Sequence, residues 1–118
     1  MRKLLLATVV ASCLAVPAAA DIEAYSENLK KAVTWGMLIG RATACGLNME
    51  YASAHVRLWM TRTFDYHDIA TAEDLFERAR QYHSDLQHTG QSPETCESVL
   101  RTLCDGGRED ACAMLARP

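Results

Sequence analysis

Four cysteines, Cys45, Cys96, Cys104 and Cys112, are the residues of this chain best suited to covalent chemistry. Their separations of 51, 8 and 8 residues contain none of the Cys-x-x-Cys pairs typical of zinc sites and redox motifs. The chain has five cysteines, and if Cys13 is lost with a leader the even number that remains in an exported chain reads instead as a disulfide framework. A leader for export is legible at the start: Met1-Arg2-Lys3 is basic, Leu4 to Val10 is apolar and continues weakly to Val16, and Ala18-Ala19-Ala20 offers a small-residue cleavage site. Residues 1–20 therefore read as a signal peptide and residues 21–118 as a single helical domain, periplasmic or secreted. A second pattern, Val10-Ala11-Ser12-Cys13, resembles a lipobox that would lipidate Cys13. The shortness of the apolar run before Cys13 and the alanine site downstream favour cleavage before Asp21.

Soft sulfur and imidazole groups suggest a second chemistry, because Cys45, Cys96, Met49, His83 and His88 would gather near one end of a helical bundle and could hold copper or zinc. Disulfide formation removes both thiolates from that set. His83 also falls on an apolar stripe, and the spacing of five from His83 to His88 suits one helix face poorly. No metal site is expected. A third candidate is His67-Asp68, where a histidine beside a carboxylate could serve as the general base of a small hydrolase. Neither a calcium-binding glycine loop nor a serine in a nucleophile elbow accompanies it, so a solvated turn is the simpler reading. Phosphate-cradling glycine loops, haem-attachment motifs and paired catalytic carboxylates are missing too, and no cofactor is implied.

The elements that must position these residues follow from periodicity. From Ile22 the residues Tyr25, Leu29, Ala32, Val33, Gly36, Met37, Gly40 and Ala44 recur every three or four positions and predict a first helix of about 24 residues, closed by Cys45-Gly46. Asn48 is a good N-cap for a second helix ending near Asp65, with Met49, Ala52, Val56, Trp59, Met60 and Thr63 inward. A third runs from about Ile69 to His88 with Gly90 placed to end it, and either Asp68 or Thr71 caps its start. Glu73, Asp74 and Glu77 early in this helix, with Arg78 and Arg80 after them, complement its dipole and imply no site. Ser92-Pro93 reads as the N-cap and first position of a fourth helix, ended by Gly106-Gly107. Arg108 to Pro118 form a short tail.

Helices joined by short loops imply an all-α, up-down four-helix bundle with a C-terminal tail. In that topology the end of helix one and the start of helix four share one end of the bundle, which pairs Cys45 with Cys96 and leaves Cys104 for Cys112. Gly36, Gly40 and Ala44 permit a close helix crossing. Opposite that face, Trp35, Leu38 and Ala42 at i, i+3 and i+7 form an apolar strip. Either the tail residues Ala111, Met114 and Leu115 fold over this strip, or it is the contact surface for a protein partner or a homodimer.

Charge narrows the partners. The full chain carries −3, and loss of Arg2 and Lys3 with the leader takes the mature domain to −5, which disfavours nucleic acid and anionic membranes. After the leader no stretch is apolar and long enough for a transmembrane segment. In size, export and helicity the chain is similar to small periplasmic chaperones of acid stress, a likeness that rests on no shared motif. The expectation is an exported, non-enzymatic helical protein that binds another protein as adaptor, inhibitor or chaperone-like factor; the alternatives are a hydrolase using His67 and Asp68 and a metal-binding protein using methionine and histidine.

Overall fold

A computed structural model describes residues 25–117. The segment read from sequence as a signal peptide, residues 1–20, and Cys13 within it lie outside the described residues. Among the described residues the chain is all-helical: α1 Glu27–Ala44, α2 Glu50–Thr63, α3 Ile69–His88, α4 Cys96–Asp105 and α5 Glu109–Leu115. None of these helices is long and apolar enough to cross a membrane.

Helix α1 starts at Ser26, whose hydroxyl accepts from the Leu29 amide at 3.3 Å, a cap of the kind that stabilises a helix by about 1 kcal/mol. It starts a turn and a half later than periodicity suggests and stops on schedule. Its C-terminus is a Schellman motif: the Leu47 N–H donates to Ala42 O and the Gly46 N–H to Thr43 O, with Gly46 at φ +103°. That left-handed turn swings the chain into α2 directly after Cys45. The same pairing of bonds closes α4 at Gly107, where φ is +102°.

The start of α2 is one residue later than expected, yet Asn48 still works there, its side-chain oxygen accepting from the Glu50 amide at 3.0 Å. Helix α3 has the expected bounds, and Gly90 follows its end. The start of α4 needs correction. Thr95, not Ser92, is its N-cap, accepting from the Ser98 amide at 3.1 Å, while Ser92 accepts from the Glu94 amide in the preceding turn. Ser-Pro is as much a turn signal as a helix start, and the hydroxyl three residues on takes the capping role. The tail adds a helix of its own, α5.

Packing is organised around α1 and α3. At Gly36 and Gly40 the two backbones approach so closely that an added Cβ would stand 2.4 Å from Phe76 O and 2.2 Å from Arg80 O. The core lies beside this crossing, with Phe76, Ile39, Met60 and Val99 its largest fully buried side chains and Ala111 of α5 in the same cluster. Glu77 of α3 ties the neighbouring helix on, pairing with Arg80 of its own helix at 2.8 Å and with Arg57 of α2.

Two disulfides staple this arrangement in the pairing that the up-down order implies. Cys45 bonds Cys96 with their Cα atoms 5.4 Å apart, and Cys104 bonds Cys112 at 4.7 Å, both inside the usual range.

Candidate functional site

Helix α1 is apolar on more than one side, and its second apolar side opens onto a surface groove. Trp35 is 44% exposed and Leu38 is half-buried, and both line an open groove of about 940 Å³ between α1 and α2. On the α1 side Lys31, Trp35 and Leu38 stand at i, i+4 and i+7; on the α2 side Ala52, Val56 and Trp59 face them at the same helical spacing. Tyr51 and His55 form the α2 rim, their rings edge to face with centroids 4.6 Å apart. Trp59 is anchored from behind by an edge contact with Phe64 at 5.8 Å and by the core.

Arg108 closes one end. It donates to Asn48 O at 2.8 Å and to Met49 Sδ at 3.0 Å, and pairs with Asp110, which joins the start of α5 to the start of α2. The Asp110 carboxyl is held below its ordinary pKa, foremost by the Arg108 hydrogen bond and further by the Ala111 amide.

The strip expected from sequence is therefore divided. Ala42 is fully buried in the core cluster that also holds Leu47, Met49 and Ala111, so it belongs to the core and not to a contact surface. Ala42 stands on the side of α1 turned into the core cluster, to which Ala111 of the tail also belongs, while no residue of α5 lines the groove with Trp35 and Leu38. Met114 of the tail lies instead against Gly46.

The other candidates are dispersed. His67 and Asp68 are exposed in the α2–α3 turn, where both of their amides donate to Asp65 Oδ1, at 2.9 and 3.0 Å, and the His67 ring rests edge-on against Tyr66. They line neither this groove nor a smaller hollow on the other side of α2. Cys45 and Cys96 are consumed by their disulfide, Met49 is engaged by Arg108, and His83 and His88 are not joined with them. Among the described residues no group of three or more His, Cys, Asp or Glu side chains is placed to hold a metal ion.

A small polar cluster reaches the Cys45–Cys96 bond through Gln87. Arg41 of α1 pairs with Glu94 at 3.5 Å, and Gln87 of α3 donates to Glu94 O at 2.9 Å and lies 3.7 Å from Cys96 Sγ. Half-buried His83 stands beside it with its pKa lowered from the usual 6.5, first by desolvation and second by the Arg41 guanidinium. Unfolded, this histidine takes a proton near 6.5; folded, only at lower pH, so the unfolded chain binds more protons in between. The stability held above pH 6.5 is lost as the pH falls through the lowered value. Urea midpoints should accordingly fall between about pH 7 and pH 5, and His83→Gln should flatten that part of the profile. An identical profile in the variant would remove His83 from the account.

No family model, curated protein or solved structure matches the chain.

Sequence reasoning missed the α2 wall of the groove and the Arg108 latch. A signal for the wall exists: Tyr51, His55 and Trp59 form an aromatic row at i, i+4 and i+8.

Proposed function

We propose that this is an exported protein, periplasmic or secreted, that works without catalysing a reaction and binds another protein in the groove between α1 and α2. Whether it acts as adaptor, inhibitor or chaperone-like factor depends on what the occupant is. The observation that carries this reading is Trp35, a large aromatic side chain left 44% exposed on the wall of an apolar groove that the tail does not cover. Single exposed apolar residues are ordinary on protein surfaces; aromatic ones gathered in a concave, apolar setting mark interaction sites. The two disulfides support an extracytoplasmic setting.

Covering Trp35 and Leu38 would stabilise an association by about 2 to 5 kcal/mol before ordering costs, at about 25 cal/mol per Å². Leu38→Glu places a carboxylate in that contact and should abolish the association while the helical circular dichroism spectrum stays intact. Sedimentation of the protein with the extracytoplasmic fraction of its own cells, together with dichroism on the same variant, reads both quantities. An unfolded Leu38→Glu variant would make Leu38 a core residue, and an unchanged sedimentation profile would make the groove irrelevant to binding.

A further inference from the structure

We infer that the occupant of the groove is an amphipathic, acidic helix of about three turns, contributed by another protein. This rests on the groove being a protein-docking site and adds the chemistry of the partner. Three observations carry it: the charge of the lining, the nature of the walls, and the length.

The protein is acidic, yet the groove is not. Lys30, Lys31 and Arg108 line it against the single carboxylate of Glu27. Lys30 and Glu27 are 3.3 Å apart and Arg108 pairs with Asp110, so part of that charge is answered internally. Exposed Lys31 stands one turn from Trp35, beside the apolar floor. A basic rim on a chain of net charge −3, or −5 once mature, selects for carboxylates on the segment that docks and against cationic ones.

Both walls are helices whose backbone groups are satisfied within their own turns. An extended segment laid between them would find no strand edge to pair with and would leave its own N–H and C=O groups unanswered. A helix brings its backbone bonds with it and presents side chains at i, i+3, i+4 and i+7, the spacing of Trp35 and Leu38 on one wall and of Ala52, Val56 and Trp59 on the other. From Glu27 to Leu38 the α1 wall rises by about 16 Å, three turns of helix. The groove is too open to enclose a small amphiphile on most sides, as acyl-chain sites generally do.

The test uses the mature disulfide-bonded protein, whose two tryptophans, Trp35 and Trp59, both line the groove and so both report on its occupation. Fluorescence titrations compare two designed twelve-residue helical peptides with leucines at i, i+3, i+4 and i+7, one with glutamates on its polar face and one with lysines, alongside decanoate as an anionic amphiphile. The glutamate peptide should bind at least about tenfold tighter than the lysine peptide at low ionic strength, and the gap should close as salt is raised. Lys31→Glu should shrink or reverse that preference. Equal or tighter binding of the lysine peptide would overturn the inference while leaving the groove a protein-docking site. Binding of decanoate alone would assign the groove to a lipid-like ligand, and binding of nothing would also overturn the inference; the Leu38→Glu sedimentation experiment decides the broader reading separately.

Discussion

Gly40→Ala should destabilise the protein by about 2 to 4 kcal/mol, although the same change in an ordinary exposed helix would help by up to about 1 kcal/mol. Alanine is the better helix former, so sterics must outweigh propensity. At Gly40 the added methyl would meet Arg80 O at 2.2 Å and the Arg80 carbonyl carbon and Cα at 3.0 and 3.1 Å. All three are backbone atoms of α3 and cannot rotate aside. Relief requires α1 and α3 to separate along the crossing that also holds Gly36 against Phe76 O, and so to loosen the cluster around Phe76 and Ile39. The loss should lower the melting temperature by on the order of 10 to 30 °C for a domain of this size. Gly106→Ala is the matched control, because a Cβ there meets only ordinary contacts at 3.6 Å and should change the midpoint little. If Gly40→Ala and Gly106→Ala melt alike, the close crossing is not what holds α1 to α3.

Replacing Cys45 and Cys96 together by serine should cost about 4 kcal/mol, against about 2.5 kcal/mol for the Cys104 and Cys112 pair. The difference follows from loop length, 51 residues closed by the first bond and 8 by the second, on chain-entropy arithmetic. The total stability of a domain this small is only about 5 to 15 kcal/mol, so the first loss is a large fraction of it. Cys45 also packs against the core, so serine there puts a hydroxyl where sulfur now sits among apolar neighbours, and Cys96 Sγ lies 3.7 Å from Gln87 Nε2. Urea denaturation of the two double variants should order them wild type, Cys104/Cys112, then Cys45/Cys96 in falling midpoint. The reverse order of the two variants would mean that local strain or packing around α5, not chain entropy, dominates.

The helices and the cysteine pairing were legible because their signals are local and redundant. Helix α3 carries a long 3.6-residue stripe and a glycine just past its end, and its bounds match; the pairing followed from direction alone, since a bundle that alternates up and down brings Cys45 to Cys96. Where several signals compete the reading slipped. Ser92-Pro93 and Thr95 both offer a hydroxyl, and the choice between them depends on the turn beneath Gln87, a tertiary contact. Ile39, only 1% exposed, escaped the core stripe because α1 is covered on two sides and a helix apolar nearly all round has no single periodic face.

The same blurring explains what was read of the candidate site. Trp35 and Leu38 stood out as apolar residues away from the main stripe and do line a groove, but an alanine such as Ala42 has no sequence signature that separates surface from core. Its burial depends on the helices packed around it in the core cluster, which are remote in sequence. Trp59 reads as a core residue and is partly one, which hid its second role as a groove wall.

The central claim, that the groove holds another protein, is tested most directly by a photo-crosslinking amino acid placed at Tyr51 on the groove rim, 77% exposed, and in a separate variant at Tyr66 in the α2–α3 turn, 88% exposed. The two sites are matched in residue type and accessibility and differ in position. Irradiation in living cells followed by mass analysis should give one dominant adduct with a different protein from Tyr51, absent when Leu38→Glu is combined with the probe, and no such adduct from Tyr66. Adducts at twice the mass of the chain would make the occupant a second copy, and the same adducts from both positions, or none from Tyr51, would contradict the claim.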